Sequence, residues 1–559
     1  MSLSSHIVRA SPEKAAACRA SGWWGDETLW DMFSAAAAAG GAGEALVDPP
    51  NRERLDGQRP RRLSWRECAA EAEALAGRLH AAGLCAGDAL VVQGPNVSEL
   101  VLALLAAFRL GAVASPVALQ YDRAELSRIA DALDARLLLA LGHVRGLDLA
   151  GRAREALPAS VAVAQLSDLP APARLPPPPR DADAAATVVW TSGTTGRSKG
   201  VPRSHNHWRA VGRRAGSGLG VQPGDRILCP FPFINMAAIG GCLVSWIAAR
   251  GVLILHHPFD LAEFLQQVTA EKATIAIAPP AVLNMLLKEA ERPGGVQPDF
   301  SGVRRMGSGS APLAPWMVSG WQARGLPIIS LFGSNEGTAL IAGPETVPDP
   351  ELRATCFPLA DDAQAIEARL ADPVTGEDLT EPGQPGELMV RGPTVFEGYL
   401  GMDRAEAEAE RLFDSRGFFR TGDLFVRAEG APGLVRFVAR AKEIIIRGGM
   451  NVSMPELEAH FAGHPELAEA AAFPVPDEIL GERIGLAVVA RAGAAPGREA
   501  LAAHLKTMGV STLMWPEEVL VLPALPRNAM GKVLRAELTE MWQQQMNQKV
   551  KGGPGCRTS

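Results

Sequence analysis

The sequence predicts an α/β protein: a large N-terminal domain of α/β subdomains with a β-rich region at its end, then a small C-terminal domain of mixed α and β. Three observations carry this. Short apolar runs of strand length alternate with helix-length segments from residue 88 to residue 278, the rhythm of parallel sheets covered by helices. After about residue 380 the texture changes to short segments with frequent Gly, and residues 441–540 then carry a strand and helix pattern of their own. At 559 residues the chain also exceeds what one core organises.

In chain order, the Ala run at 35–39 and its following glycines read as a loosely helical surface piece. Residues 88–94 read as strand then turn, and 98–110 as a helix stopped by Gly111, after which Val113 and Val117 resume an apolar run. The Pro-rich stretch 169–180, with Pro176 to Pro179 unbroken, cannot be helix or inner strand and reads as an extended connector. Residues 186–190, 226–229, 251–256 and 274–278 are short buried strands by pattern. The division that follows is a large domain over 1–440, a small domain over 441–545 and a disordered tail over 546–559, whose Gln, Gly and Lys have little to bury.

With 47% hydrophobic and 21% charged residues the chain has the balance of a soluble globular protein. A net charge of -7 gives no electrostatic footprint for nucleic acid. Apolar stretches such as 100–108 are cut by Arg109 or by glycines well before the ~20 residues that a membrane span needs. Residues 1–10 lack a basic start followed by a long apolar run, so the expectation is a cytoplasmic protein without stable membrane insertion. The seven cysteines are scattered and never spaced C-x-x-C, which argues for reduced thiols filling cores rather than a disulfide framework or a zinc site.

The most informative segment is Thr191-Ser192-Gly193-Thr194-Thr195-Gly196-Arg197-Ser198-Lys199-Gly200. Its glycines let the backbone approach a ligand closely, its hydroxyls donate at short range, and Arg197 and Lys199 add positive charge, which is how a loop cradles phosphate. It follows an apparent strand, so it lies where open α/β sheets bind ligands. It is not a Walker A loop, because no Ser or Thr follows Lys199 to hold magnesium. Taken alone, the segment reads also as a plain Ser/Thr/Gly surface turn.

Further motifs follow. They are Gly307-Ser308-Gly309-Ser310-Ala311-Pro312, Leu331-Phe332-Gly333-Ser334-Asn335-Glu336-Gly337 and Thr421-Gly422-Asp423. Beyond these come Arg440-Ala441-Lys442-Glu443 leading to Gly448-Gly449, and Pro526-Arg527-Asn528-Ala529-Met530-Gly531-Lys532. Loop and motifs together, in this order and over nearly the whole chain, resemble the adenylate-forming superfamily. That superfamily comprises acyl-CoA synthetases, aryl-acid AMP ligases, peptide-synthetase adenylation domains and luciferases.

The resemblance implies a mobile C-terminal lid and assigns roles by position. Lys532 would be the catalytic lysine, bridging the acid's carboxylate and the α-phosphate; an ammonium placed between two anions relieves their repulsion. Glu336 would bind the magnesium held by ATP, as a hard dication prefers carboxylate oxygen. Thr191 joins these two as catalytic. The ATP and AMP set would be Thr191, Ser192, Gly193, Thr194, Thr195, Lys199, Gly309, Ser310, Ala311, Pro312, Phe332, Gly333, Ser334, Asn335, Asp423 and Arg440. Of these, Asp423 accepts from the ribose hydroxyls and Arg440 also contacts the ribose. Asn335 stands where the family usually has Thr; its amide can still donate to the α-phosphate. Lys442 would be the hinge, and Gly448 and Gly449 would let the pantetheine arm of coenzyme A pass. Gly398-Tyr399-Leu400 also matches a family motif, and its work reads as structural.

The acid pocket falls on Asn235, Met236, Ala237, Gly240, Ser308, Gly309 and Gly333. Many relatives carry His at or near Asn235, and amino-acid-activating domains use an Asp in this region. Here Asn235 is neutral among apolar neighbours, so the ammonium of a free amino acid would be desolvated without a counter-charge. Met236, like Phe233, reads equally as plain core. The expectation is an AMP-forming ligase using ATP, Mg²⁺ and coenzyme A on an uncharged medium-chain, alicyclic or aromatic acid, with a homodimer as the candidate assembly. The alternatives are an aryl-acid AMP ligase that loads a carrier protein and a non-catalytic acyl or nucleotide sensor.

Overall fold

In the computed structural model the apolar runs pair as two mostly parallel sheets. The structure describes residues 3–551 apart from 192–197, 296, 360–365, 403–405, 408–410, 448–449, 463, 478–479, 492–493, 495–496, 509 and 529–530. Six strands form one sheet, in the order Lys199–Ser204, Ala185–Thr191, Val113–Val117, Ala89–Gln93, Leu137–Ala140, Ala162–Ala164. Eight form the other, in the order Ala339–Ala342, Ile328–Gly333, Arg305–Gly309, Ile275–Ile277, Arg226–Cys229, Val252–Leu255, Glu44–Val47, Arg62–Ser64. The antiparallel pairs lie at the sheet edges, where one strand returns directly beside its neighbour.

Helix Ser98–Leu110 forms over the span that the sequence predicts. It is apolar on every side, and all its residues but Glu99 are buried. Gly111, at φ 70, closes it as the sequence predicts. The Ala run differs from its expectation: it belongs to helix Leu29–Gly40, capped by Thr28, with Phe33, Ala36 and Ala37 buried. Trp30 and Phe33 precede the alanines at helical spacing, and their packing draws the whole segment inward.

The β-rich region begins earlier than residue 380. Five antiparallel strands run in the order Cys356–Pro358, Leu434–Arg440, Phe419–Arg427, Gly386–Arg391, Glu367–Ala371. Arg440 ends this sheet; one short turn, Ala441–Glu443, leads straight into Ile444–Arg447 of another. That last sheet joins Met450–Ser453, Gly481–Ala490, Leu467–Asp477 and Glu518–Val521 around a core including Ile445, Leu457, Phe461, Ile484 and Leu486. Helix Met454–Ala459 opens on Ser453, whose hydroxyl accepts from the amide of Glu456 at 3.3 Å, as the S-x-x-E spacing predicts.

Helix Arg535–Lys551 corrects the tail boundary, since its backbone continues through 546–551. Its first turns are docked, with Leu538 buried and Thr539 donating to the Pro474 carbonyl at 2.9 Å, and extension then adds one hydrogen bond per residue. Residues 552–559 lie outside the described residues. Cys18, Cys68, Cys229, Cys242 and Cys356 are buried free thiols and Cys85 an exposed one, while Cys556 lies outside the described residues. Among the described residues no helix is long and apolar enough to cross a membrane.

Candidate active site

The segment 191–200 is the connection of a β-hairpin. Ala185–Thr191 and Lys199–Ser204 pair antiparallel with Thr191 opposite Lys199, and the Thr191 hydroxyl donates to the Lys199 carbonyl at 3.4 Å. Ser192, Gly193, Thr194 and Thr195 lie outside the described residues, so the geometry concerns the hairpin's base. There the Lys199 ammonium sits 4.6 Å from the centre of the Tyr399 ring, a cation–π approach. The Tyr399 hydroxyl in turn donates to Oε1 of Glu336 at 2.9 Å. The base of the phosphate-loop candidate and the magnesium-ligand candidate are thereby joined through one side chain.

Glu336 is 9% exposed and sits on a tight turn. Gly337 has φ 116, and a Cβ there would lie 2.0 Å from the Thr394 carbonyl oxygen, so only glycine lets the turn close against the 394–399 segment. Arg203, fully buried, donates to the carbonyls of Glu336 at 3.1 Å and Thr394 at 2.6 Å. Burial lowers the Arg203 guanidinium to about 9, opposed by the nearby Glu336 and Glu397 charges. On the same turn the Ser334 hydroxyl oxygen is buried with no hydrogen-bond partner among the described residues.

Asn335 holds two neighbouring segments together. Its Oδ1 accepts from the amide of Met236 at 2.9 Å and its Nδ2 donates to the Trp190 carbonyl at 3.2 Å. It therefore ties the end of strand Ala185–Thr191 to the start of the acid-pocket segment. Phe332 packs against Phe425 at 5.1 Å and Phe437 at 5.5 Å, joining the eight-stranded sheet to the β-rich one.

Asp423 and Arg440 are direct cross-strand partners, which puts Arg440 Nε 3.2 Å from Oδ1 of Asp423. The approach lacks hydrogen-bond alignment, and that oxygen, on a residue 2% exposed, is left without a hydrogen-bond partner among the described residues. Burial pushes the Asp423 carboxyl up to about 6; Arg440 opposes this, and the charges of Glu336 and Glu443 add to it. Lys532 stands on a tight turn closed by Asn528, which accepts from the Lys532 amide at 2.9 Å. Its ammonium reaches within 3.7 Å of Glu443. Burial and the positive charge of Arg440 hold the Lys532 ammonium below its ordinary value, with Glu443 opposing. Glu336, Asp423, Arg440, Glu443 and Lys532 thus form one electrostatic neighbourhood, although they span nearly 200 residues of sequence.

On the acid side, Asn235 caps the segment that follows it, its Oδ1 accepting from Ala238 at 3.1 Å. Residues Ala237–Val244 form a π-helix, a wide turn found at functional sites. Met236 lies beside Gly333, where a Cβ would come 2.6 Å from its methyl carbon. Gly240 does not face a pocket: a Cβ there would meet Val211 at 2.2 Å, so this glycine serves helix packing against His205–Leu219. Gly241, buried yet with open space where a Cβ would point, is the glycine free to border a ligand. The Ser308 hydroxyl donates to the Ala278 carbonyl at 2.8 Å, and Gly309 is required by the close Leu331 carbonyl. Ser310, at φ 68, Ala311 and Pro312 form an exposed turn beyond that strand.

Lys442 lies in the turn between the two sheets, and Gly448 and Gly449 lie outside the described residues. Tyr399 and Arg203 are the site residues whose roles sequence reasoning missed. The Gly398-Tyr399-Leu400 motif signalled the first, while nothing in an isolated Arg reveals that it is buried. The residues present fit a magnesium nucleotide: a carboxylate at the base of a phosphate-loop hairpin, and buried orphan oxygens at Ser334 and Asp423 for phosphate and ribose hydroxyls.

Known proteins resemble this chain over much of its length. The probable CoA ligase CCL5 of Humulus lupulus is 30% identical over 360 residues, 64% of this chain and 63% of that protein. The chain thus spans less than two thirds of that relative's own length. The salicyl-AMP ligase / salicyl-S-ArCP synthetase of Mycobacterium tuberculosis (strain ATCC 25618 / H37Rv) is 29% identical over 543 residues, 93% of this chain and 92% of that one. The crystal structure of ATP-bound MatB from Rhodopseudomonas palustris superposes with a TM-score of 0.74 at 26% identity, covering 92% of this chain and 99% of that one. A model of the AMP-binding enzyme C-terminal domain matches residues 456–532, and the AMP-binding enzyme model itself matches 35–400, more than half of the chain. The chain belongs to the AMP-binding enzyme family, within the adenylate-forming superfamily of CoA ligases and aryl-acid AMP ligases.

Proposed function

We propose that the protein is an ATP-dependent carboxylic acid:CoA ligase that works through an acyl-adenylate and acts on an uncharged medium-chain, alicyclic or aromatic acid. The observation that carries this is the convergence of the orphan Asp423 oxygen, Arg440 and Lys532 beside Glu336. In the first half-reaction the acid's carboxylate oxygen bonds to the α-phosphorus of ATP, the bond to the β-phosphate bridging oxygen breaks, and pyrophosphate leaves. Asp423 and Arg440 hold the ribose, Ser334 and Thr191 donate to phosphate oxygens, and the Lys532 ammonium offsets the repulsion of two anions. Magnesium, held through Glu336, would neutralise charge on the leaving phosphates.

In the second half-reaction a thiol attacks the carbonyl carbon, the carbon–sulfur bond forms, and AMP departs with its oxygen while the thiol proton goes to solvent. The turn Ala441–Glu443, which holds Lys442 between two separate sheets, suits a hinge about which residues 441–545 swing as a lid. That swing withdraws Lys532 and brings Gly448 and Gly449 to the thiol.

A second reading, an aryl-acid AMP ligase that loads a carrier protein, is favoured by the 93% coverage of this chain by the salicyl-AMP ligase alignment. A pyrophosphate-release screen over benzoate, cyclohexanecarboxylate, salicylate and medium-chain fatty acids, with and without CoA, tests both. Turnover that requires CoA supports the ligase. Acid-dependent release with no CoA thioester points to the carrier-loading reading, and no release with any acid counts against both.

A further inference from the structure

The AMP-binding enzyme match begins at residue 35, yet the preceding arm is bonded to the back of the site. Trp24 Nε1 donates to the Pro393 carbonyl at 3.0 Å, Lys14 Nζ to the Val395 carbonyl at 2.8 Å, and the Gly401 amide to the His6 carbonyl at 2.9 Å. Lys14 also forms an ion pair with Oε1 of Glu397, the same oxygen that His207 Nε2 meets at 3.4 Å. All these contacts fall on one irregular strap, residues 393–401.

The strap is what holds Glu336. The Phe396 amide donates to the Glu336 carbonyl at 2.8 Å, the Thr394 hydroxyl to the Gly337 carbonyl at 2.8 Å, and Tyr399 to the Glu336 carboxylate at 2.9 Å. The strap belongs to no strand over its length; a few backbone bonds, such as Phe396 to Glu336 and Leu400 to Gly200, and side chains on either flank hold it. Arg203 supplies one flank and the arm supplies the other.

We propose that the N-terminal arm, residues 6–25, is a positioning element of the nucleotide site, with Lys14 as the residue that fixes the strap and through it the Glu336 carboxylate. The charge state of the network is set for this task. Burial works against the Glu397 anion, yet Lys14 and His207 hold its carboxyl down to about 2. Burial lowers His207 to about 4, and its Nδ1 accepts from the Ser204 amide, so the neutral ring presents an N–H to Glu397. The arm acts through Glu336 and touches no substrate, so its loss weakens ligands that need the metal-holding carboxylate and spares those that do not.

The proposal rests on Glu336 as the magnesium-nucleotide ligand, and direct binding separates the two claims. Calorimetric titration of the full-length chain compares magnesium-AMPPCP with AMP, which lacks the phosphates that the metal bridges. Lys14→Met weakens magnesium-AMPPCP about fivefold, the scale of one lost hydrogen bond felt through the strap, and AMP less than about twofold; Lys14→Arg restores the lost affinity. Equal weakening of both ligands, or none, overturns the proposal and leaves the arm a structural clasp. Should Lys14→Met fail to fold, Glu397→Gln, which keeps the shape and removes the charge, is held to the same selective loss. A wild-type chain that binds AMP but not magnesium-AMPPCP overturns the reading of Glu336 itself.

Discussion

The Tyr399 hydroxyl donates to the Glu336 carboxylate at 2.9 Å while its ring lies 4.6 Å from the Lys199 ammonium. One side chain thus orients an acid and packs a base that flank the same hairpin. Tyr399→Phe keeps the ring and removes only the donor. The expected result is a three- to tenfold rise in the magnesium concentration for half-maximal ATP–pyrophosphate exchange, from a loss of ~1 kcal/mol of orientation. An unchanged magnesium requirement would show that Glu336 is positioned without it.

Asp423 gives the site a pH signature. Burial pushes its carboxyl up to about 6, so the ionised form that accepts from ribose hydroxyls is lost as the pH falls through that value. AMP affinity should therefore climb with pH to about 6 and then level off, and Asp423→Asn should flatten the profile. For stability the sign is opposite: the folded-state value lies above the ordinary 3.8, so ionisation disfavours the fold. The cost grows from pH 4 to 6 and is complete above about 6, amounting to ~3 kcal/mol. Melting curves of Asp423→Asn against wild type at pH 5 and pH 8 check this, the variant gaining more at pH 8.

Lys532→Ala separates the two half-reactions. Adenylation should fall ~10²- to 10³-fold, the scale of removing one charge-stabilising donor, while thioester formation from supplied acyl-adenylate stays largely intact. Pyrophosphate exchange and single-turnover thioester assays measure the two. Equal loss in both would contradict the role assigned to the ammonium.

Gly337→Ala tests the turn that carries Glu336. The substitution forces a side chain at φ 116 into the Thr394 carbonyl, 2.0 Å from the ideal Cβ position. A destabilisation of ~2–4 kcal/mol is expected. Denaturant melts measure it, and a variant as stable as wild type would mean that the strap shifts easily.

Much of this was legible in the sequence because the informative residues carry their chemistry locally. A Gly- and hydroxyl-rich run after a strand, an acid after Phe-Gly and a lysine after Gly are each short local patterns, and their order along the chain is what makes them point to one family. The helix over 98–110 was equally legible, since an apolar run of helix length leads to Gly111. What escaped depends on distant partners. The Asn335 amide bridges Trp190 and Met236, which the local sequence does not show, and Gly240 reads as pocket space until Val211 fills it. Lys14 is indistinguishable from a solvated helix lysine in sequence, because its partner Glu397 is hundreds of residues away. The Ala run of 35–39 was misread because Ala is silent about burial, which Trp30 and Phe33 decide.

Strands Glu44–Val47 and Arg62–Ser64 belong to the sheet whose other members begin only at Arg226. Leu46 pairs with Leu253, and Trp65 stacks on Trp246 at 4.6 Å. During synthesis these early strands must wait for a partner made some two hundred residues later, so the eight-stranded sheet closes only after every strand of the six-stranded one has been made. Cutting the chain at the proline connector would not yield two independent folding units. The downstream piece would expose the bare edge of Val252–Leu255, an open template for mispairing.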